Sequence, residues 1–107
     1  MNLIQYLLIC LAEECGEVDQ RATKALRFGL DECQPGQNLT NRERLLDELD
    51  DLLLIREMLI EHQAFGISTN TMMYAPDTDR RAEKRRKIHK YMRLSYELGI
   101  LDGGRET

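Results

Sequence analysis

From residue 2 to residue 28 the chain has no proline and one glycine. Its apolar residues pass from nearly continuous (Leu3, Ile4, Leu7, Leu8, Leu11) to a stripe at helical spacing (Val18, Ala22, Ala25, Leu26). One long helix is predicted there, with Gly29 where a C-terminal cap belongs. The stretch 30–39 carries Asp, Pro, Gly and Asn and reads as a loop. Thr40 and Glu43 then spell a capping box, and Leu45, Leu49, Leu52, Ile55 and Leu59 continue a second helix to about residue 64, stopped by Gly66. Residues 67–78 form a mixed connection in which Met72, Met73 and Tyr74 are expected to pack. Asp79 is expected to cap a third helix over 80–98, with Ile88, Tyr91, Met92, Ser95 and Leu98 on its inner face and Gly99 as its stop. No period-two alternation is present. The expected fold is all-α, a bundle of about three helices in a single domain over 1–107. A chain of 107 residues is near the lower limit for a self-sufficient core, so completion of the bundle by oligomerisation is expected.

Carboxylates interrupt the two long apolar patterns. Glu14 and Glu17 share one face of the first helix, and Glu48 and Asp51 one face of the second, because residues three apart are neighbours on a helix. Packed as an antiparallel hairpin, the helices bring Glu14 opposite Asp51 and Glu17 opposite Glu48. Two like charges about 4 Å apart repel by about 4 kcal/mol at an effective dielectric of 20, so four require a divalent cation, protonation or paired cations. The same stripe continues to Arg21 and Lys24, with Arg44 and Asn41 opposite them. Carboxylates beside cations suit a metal ion plus phosphate, and oxygen-only ligands favour Mg²⁺ or Mn²⁺ over zinc. Gly16, between the two glutamates, offers room for the close approach of a helix or ligand.

Glu13-Glu14-Cys15-Gly16-Glu17 followed by Glu48-Leu49-Asp50-Asp51 resembles the E-E-x-x-E and E-x-x-D signature of the MazG-type all-α nucleoside triphosphate pyrophosphohydrolases. The resemblance covers residues 7–63. It extends to Lys24-Ala-Leu-Arg-Phe-Gly29 and to Pro35-Gly-Gln-Asn-Leu-Thr40, which are similar to phage and bacterial members. It implies Mg²⁺ held by Glu14, Glu17, Glu48 and Asp51, with Glu13 as an outer ligand or water-positioning base. It also implies hydrolysis of a nucleoside triphosphate to the monophosphate and pyrophosphate, in a homodimer or homotetramer whose partner subunit helps to cover the substrate. Arg21, Lys24 and Arg44 are assigned to the leaving phosphates from helix geometry alone.

Charge distribution adds one feature. Residues 1–66 hold 13 acids and 6 bases, whereas residues 67–107 hold 6 acids and 9 bases. The basic run Arg80-Arg-Ala-Glu-Lys-Arg-Arg-Lys87 reads as a solvated helix face that offsets the acidic body, and nucleic acid is not an expected partner. The competing function is a non-enzymatic helical interaction protein, or one associated with nucleic acid through this helix, in which the acidic pairs are surface charges. Cys10, Cys15 and Cys33 lack zinc-site spacing and are expected as reduced thiols of a cytoplasmic protein. The apolar run 3–12 is too short for a membrane span, and no basic residue precedes it as in a signal peptide. No membrane association is expected.

Overall fold

A computed structural model describes residues 1–66 and 76–103, and among them the protein is all-α. The helices are α1 (Leu3–Phe28), α2 (Asn41–Glu61) and α3 (Thr78–Glu97). The chain divides into two compact units, Met1–Thr71 and Met72–Thr107. The expected positions of Met72, Met73 and Tyr74 lie outside the described residues.

In the first unit, the Asn2 side chain accepts from the Gln5 backbone N–H and the Gln5 side chain accepts from that of Asn2, each at 2.8 Å. This reciprocal box satisfies two donors that a helix start otherwise leaves unpaired. α1 ends at Gly29, whose positive φ of 96° suits a residue without Cβ and whose N–H reaches the Ala25 carbonyl at 2.9 Å. The loop turns at Pro35-Gly36, with Gly36 at φ 80° and the Gln37 N–H donating to the Gln34 carbonyl at 2.9 Å, as in a type II turn. An isolated antiparallel bridge between Cys33 and Thr40 closes it, and the expected Thr40–Glu43 capping box starts α2.

Asn41, only 1% exposed, fastens the two helices at this end. Its Nδ2 donates to the Gly29 carbonyl at 2.9 Å and to Glu32 Oε2 at 3.3 Å, and its backbone N–H donates to the Glu32 carbonyl at 2.9 Å. The start of α2 is thus held at the end of α1, so the packed helices run antiparallel. Leu7, Ala25, Leu59 and Ile60 are the buried apolar residues, near the two ends of the hairpin. The carboxylates stand between them.

Two helix limits differ from the sequence reading. α2 stops at Glu61, before the expected limit near residue 64. Gln63 adopts φ 60°, its N–H reaches the Ile60 carbonyl at 3.0 Å, and the Ala64 N–H reaches Leu59 at 2.9 Å. These are the two bonds of a Schellman cap, formed on glutamine three residues before Gly66. In the second unit, α3 is capped by Asp77 and not by Asp79, because the Asp77 side chain accepts from the Arg80 N–H at 2.9 Å. Its other end is the expected glycine cap: Gly99 has φ 75°, and the Ile100 N–H bonds the Ser95 carbonyl at 3.0 Å. The expected inner face of α3 has no buried residue. Ile88 and Tyr91 there are more than half exposed.

Candidate metal centre

Glu14 and Glu17 project from the middle of α1, three residues apart on one face, and Glu48 meets them from α2. One carboxylate oxygen from each of the three lies within 4.8 Å of the other two. Glu48 is the strongest influence on both Glu14 and Glu17, so it meets both of them. Asp51 falls outside the group of three, yet its charge still disfavours ionisation of Glu14 and Glu17. Glu13 is exposed, and its charge acts on Glu17.

Protons are distributed unevenly across this cluster. The hydrogen bond with Glu48 raises the pKa of Glu14 from 4.5 to about 7, helped by desolvation and by the charges of Glu48, Glu17 and Asp51. Glu17 is also raised, first by its hydrogen bond with Glu48. Glu48 is lowered, by accepting from Glu14 and Glu17 and by the positive charges of Arg21 and Arg44. Without a cation, Glu14 is therefore the carboxyl that retains a proton and Glu48 the one that stays ionised.

Two of the predicted phosphate ligands converge on this acid. Arg21 reaches Glu48 electrostatically from α1, and Arg44 does so from one turn earlier on α2. Arg44 also donates to Gln34 Oε1 at 3.5 Å. Lys24 is half-buried on the next turn of α1. The room foreseen at Gly16 has no neighbour to use it, since a Cβ added there meets nothing within 4 Å. What the sequence reading missed is the burial of Asn41; its signal was an amide at the first helical position, directly after the Thr40 cap.

The donor set fits a small divalent ion. Octahedral Mg²⁺ with bonds of about 2.1 Å places adjacent ligands about 3 Å apart and opposite ones about 4.2 Å apart, so oxygens within 4.8 Å of one another can close onto such an ion by side-chain movement alone. No N–H or hydroxyl donor reaches the buried Glu14 Oε1 and Glu48 Oε2, and Arg21 Nη1 is a buried donor lacking an acceptor; outside the cluster, the buried Asn41 Oδ1 also lacks a partner. Buried polar atoms are nearly always satisfied, so the three in the cluster suit a cation on the carboxylates and an anion on Arg21.

The raised Glu14 pKa fixes a sign for stability against pH. Between pH 4.5 and about 7 the folded protein binds more protons at Glu14 than the unfolded chain, so stability falls as pH rises through this window. Glu43 and Glu48 are lowered, and their contributions fade only below the ordinary carboxylate range. The melting temperature of metal-free protein is expected to drop across that window and to drop less in Glu14→Gln. A thermal melt series in EDTA measures both, and an identical slope in the variant excludes Glu14 as the group responsible.

Comparison with known protein families, curated proteins and solved structures returns no match.

Proposed function

We propose that this protein is a cytoplasmic, Mg²⁺-dependent nucleoside triphosphate pyrophosphohydrolase of the MazG type, acting on the α–β phosphoanhydride. The observation that carries the reading is the meeting of Glu14, Glu17 and Glu48 beside Arg21 and Arg44, with buried carboxylate oxygens that no N–H or hydroxyl donor reaches and a buried guanidinium nitrogen that lacks an acceptor. The spelling of residues 13–17 and 48–51 supports it.

Glu14, Glu17 and Glu48 would hold the ion, with Asp51 as a fourth ligand from the next turn of α2. When bound, Mg²⁺ supplies polarisation of a phosphate oxygen and a lowered pKa for water. Glu13 serves from outside the three, orienting water or accepting its proton. Arg21, Lys24 and Arg44 hold the pyrophosphate oxygens as negative charge moves onto them. Water oxygen bonds to the α-phosphorus, the bridging bond breaks, and its electron pair leaves on pyrophosphate.

Self-association belongs to the same proposal. Leu46, Leu49 and Leu53 recur on one face of α2 at 66%, 41% and 57% exposure, and Leu3 and Tyr6 on α1 are at least half exposed. A hairpin with four buried apolar residues and such a stripe is suited to a second copy of itself, in a dimer or tetramer.

The deciding experiment offers purified protein a panel of ribo- and deoxyribonucleoside triphosphates and assays pyrophosphate and orthophosphate separately. Pyrophosphate and monophosphate in equal amounts, abolished by EDTA, are expected. Release of orthophosphate alone, or no turnover of any nucleotide with Mg²⁺ or Mn²⁺, rejects the reading.

A further inference from the structure

Residues 76–91 are all exposed, and six of the eight residues from 80 to 87 are cations. At 100° per residue those cations are not confined to a stripe. Arg80, Lys84 and Lys87 fall on one side of α3, and Arg81 and Arg85 turn progressively away from it. Arg86 occupies the opposite side, where Lys90 and Arg93 extend it. Among the described residues the one ion pair on α3 joins Arg86 to Glu83. The remaining cations of 80–87 therefore keep their charge available. The run is solvated as expected, and its charge extends around the helix.

A flat anionic surface is matched by a stripe. Cations on every side match an anion that flanks the helix on both sides, and the groove of a nucleic-acid duplex is bounded by two phosphate backbones. The major groove of B-DNA is about 12 Å wide, against about 10–12 Å for a helix with its side chains. We propose that the N-terminal half of α3 lies in a groove of double-stranded nucleic acid and binds phosphates of both strands without reading their sequence.

The composition of α3 sets the occupant apart from its competitors. Residues 78–87 contain no apolar side chain larger than that of Ala82, so this half has nothing to insert into a membrane. It has no aromatic residue on which unpaired bases could stack. α3 contains no Asn or Gln to pair with adenine, while five arginines offer the forked donors that suit phosphate. This contact is independent of nucleotide hydrolysis, since it uses no residue of the acidic cluster.

Fluorescence anisotropy of the full chain with a labelled duplex, in EDTA and over a salt series, tests the proposal. Neutralising five phosphates gives a log–log salt slope of about −4.5, or about 500-fold weaker binding between about 50 and 200 mM salt. The variant Arg80→Gln/Arg81→Gln/Arg85→Gln, which removes three of the five unpaired cations and keeps helix propensity, should flatten the slope to about −1.8, a loss of about 12-fold over the same range. Scrambling the duplex sequence should change neither value. The idea is overturned by absence of duplex binding at the low-salt end, by an unchanged slope in the variant, or by equal binding to phosphatidylserine vesicles or a single strand. Pyrophosphate release by the same variant should equal wild type, so failure here and failure of the hydrolase reading are separate results.

Discussion

Glu48→Gln is expected to reduce nucleotide turnover by at least about 10²–10³-fold while leaving the helices intact. The substitution preserves size and removes one charge at the point where α2 meets both α1 glutamates. Glu48 is also the acid that the hydrogen bond from Glu14, with Glu17, Arg21 and Arg44, holds in its ionised form, so no neighbouring carboxylate replaces it. Three readouts should move together. Pyrophosphate release disappears, the rise in melting temperature produced by Mg²⁺ shrinks, and the stability change between pH 4.5 and about 7 weakens because the leading cause of the raised Glu14 pKa is gone. Wild-type turnover in this variant removes Glu48 from the ligand set. Loss of turnover with an undiminished Mg²⁺ increment assigns Glu48 to substrate and not to metal.

The elements of this fold were legible wherever they depended on local chemistry. Thr40 and Glu43 form the expected box, Gly29 and Gly99 end their helices, and the Pro35-Gly36 turn sits in the predicted loop. Errors arose where two residues competed for one role. Asp77 and Asp79 both suit an N-cap, and only the backbone geometry before α3 decides for Asp77. Gln63 takes a left-handed conformation with two Schellman bonds to offset its strain, and nothing in a glutamine announces that ahead of Gly66. The acidic cluster was legible as a face but not as a register. Helical spacing puts Glu14 with Glu17 and Glu48 with Asp51, whereas the approach of Glu48 to both α1 glutamates depends on how the two helices pack, which spacing along one helix does not specify. Asn41 shows the same limit: its identity suggests a polar helix start, and its burial comes from the loop folding back onto Gly29 and Glu32.

Leu59→Ala is expected to have the largest effect on stability. Leu59 is 0% exposed and, with Ile60, anchors the end of α2 remote from the loop. Truncating a fully buried leucine costs about 2–5 kcal/mol. A unit the size of Met1–Thr71 has roughly 4–10 kcal/mol in total at typical values per residue, so a fifth of it at least, and at the upper end all of it, is at risk. Denaturant melts should show a much lower midpoint. Because Leu59 lies outside the acidic cluster, the increment given by saturating Mg²⁺ should survive in whatever fraction remains folded. That is the inverse of Glu48→Gln, which spares the helices and removes the increment. A change below about 0.5 kcal/mol at Leu59, the range of an ordinary surface substitution, means that the core of this unit lies elsewhere. The exposed stripe through Leu46, Leu49 and Leu53 then becomes the principal apolar contact, and stability should vary with protein concentration.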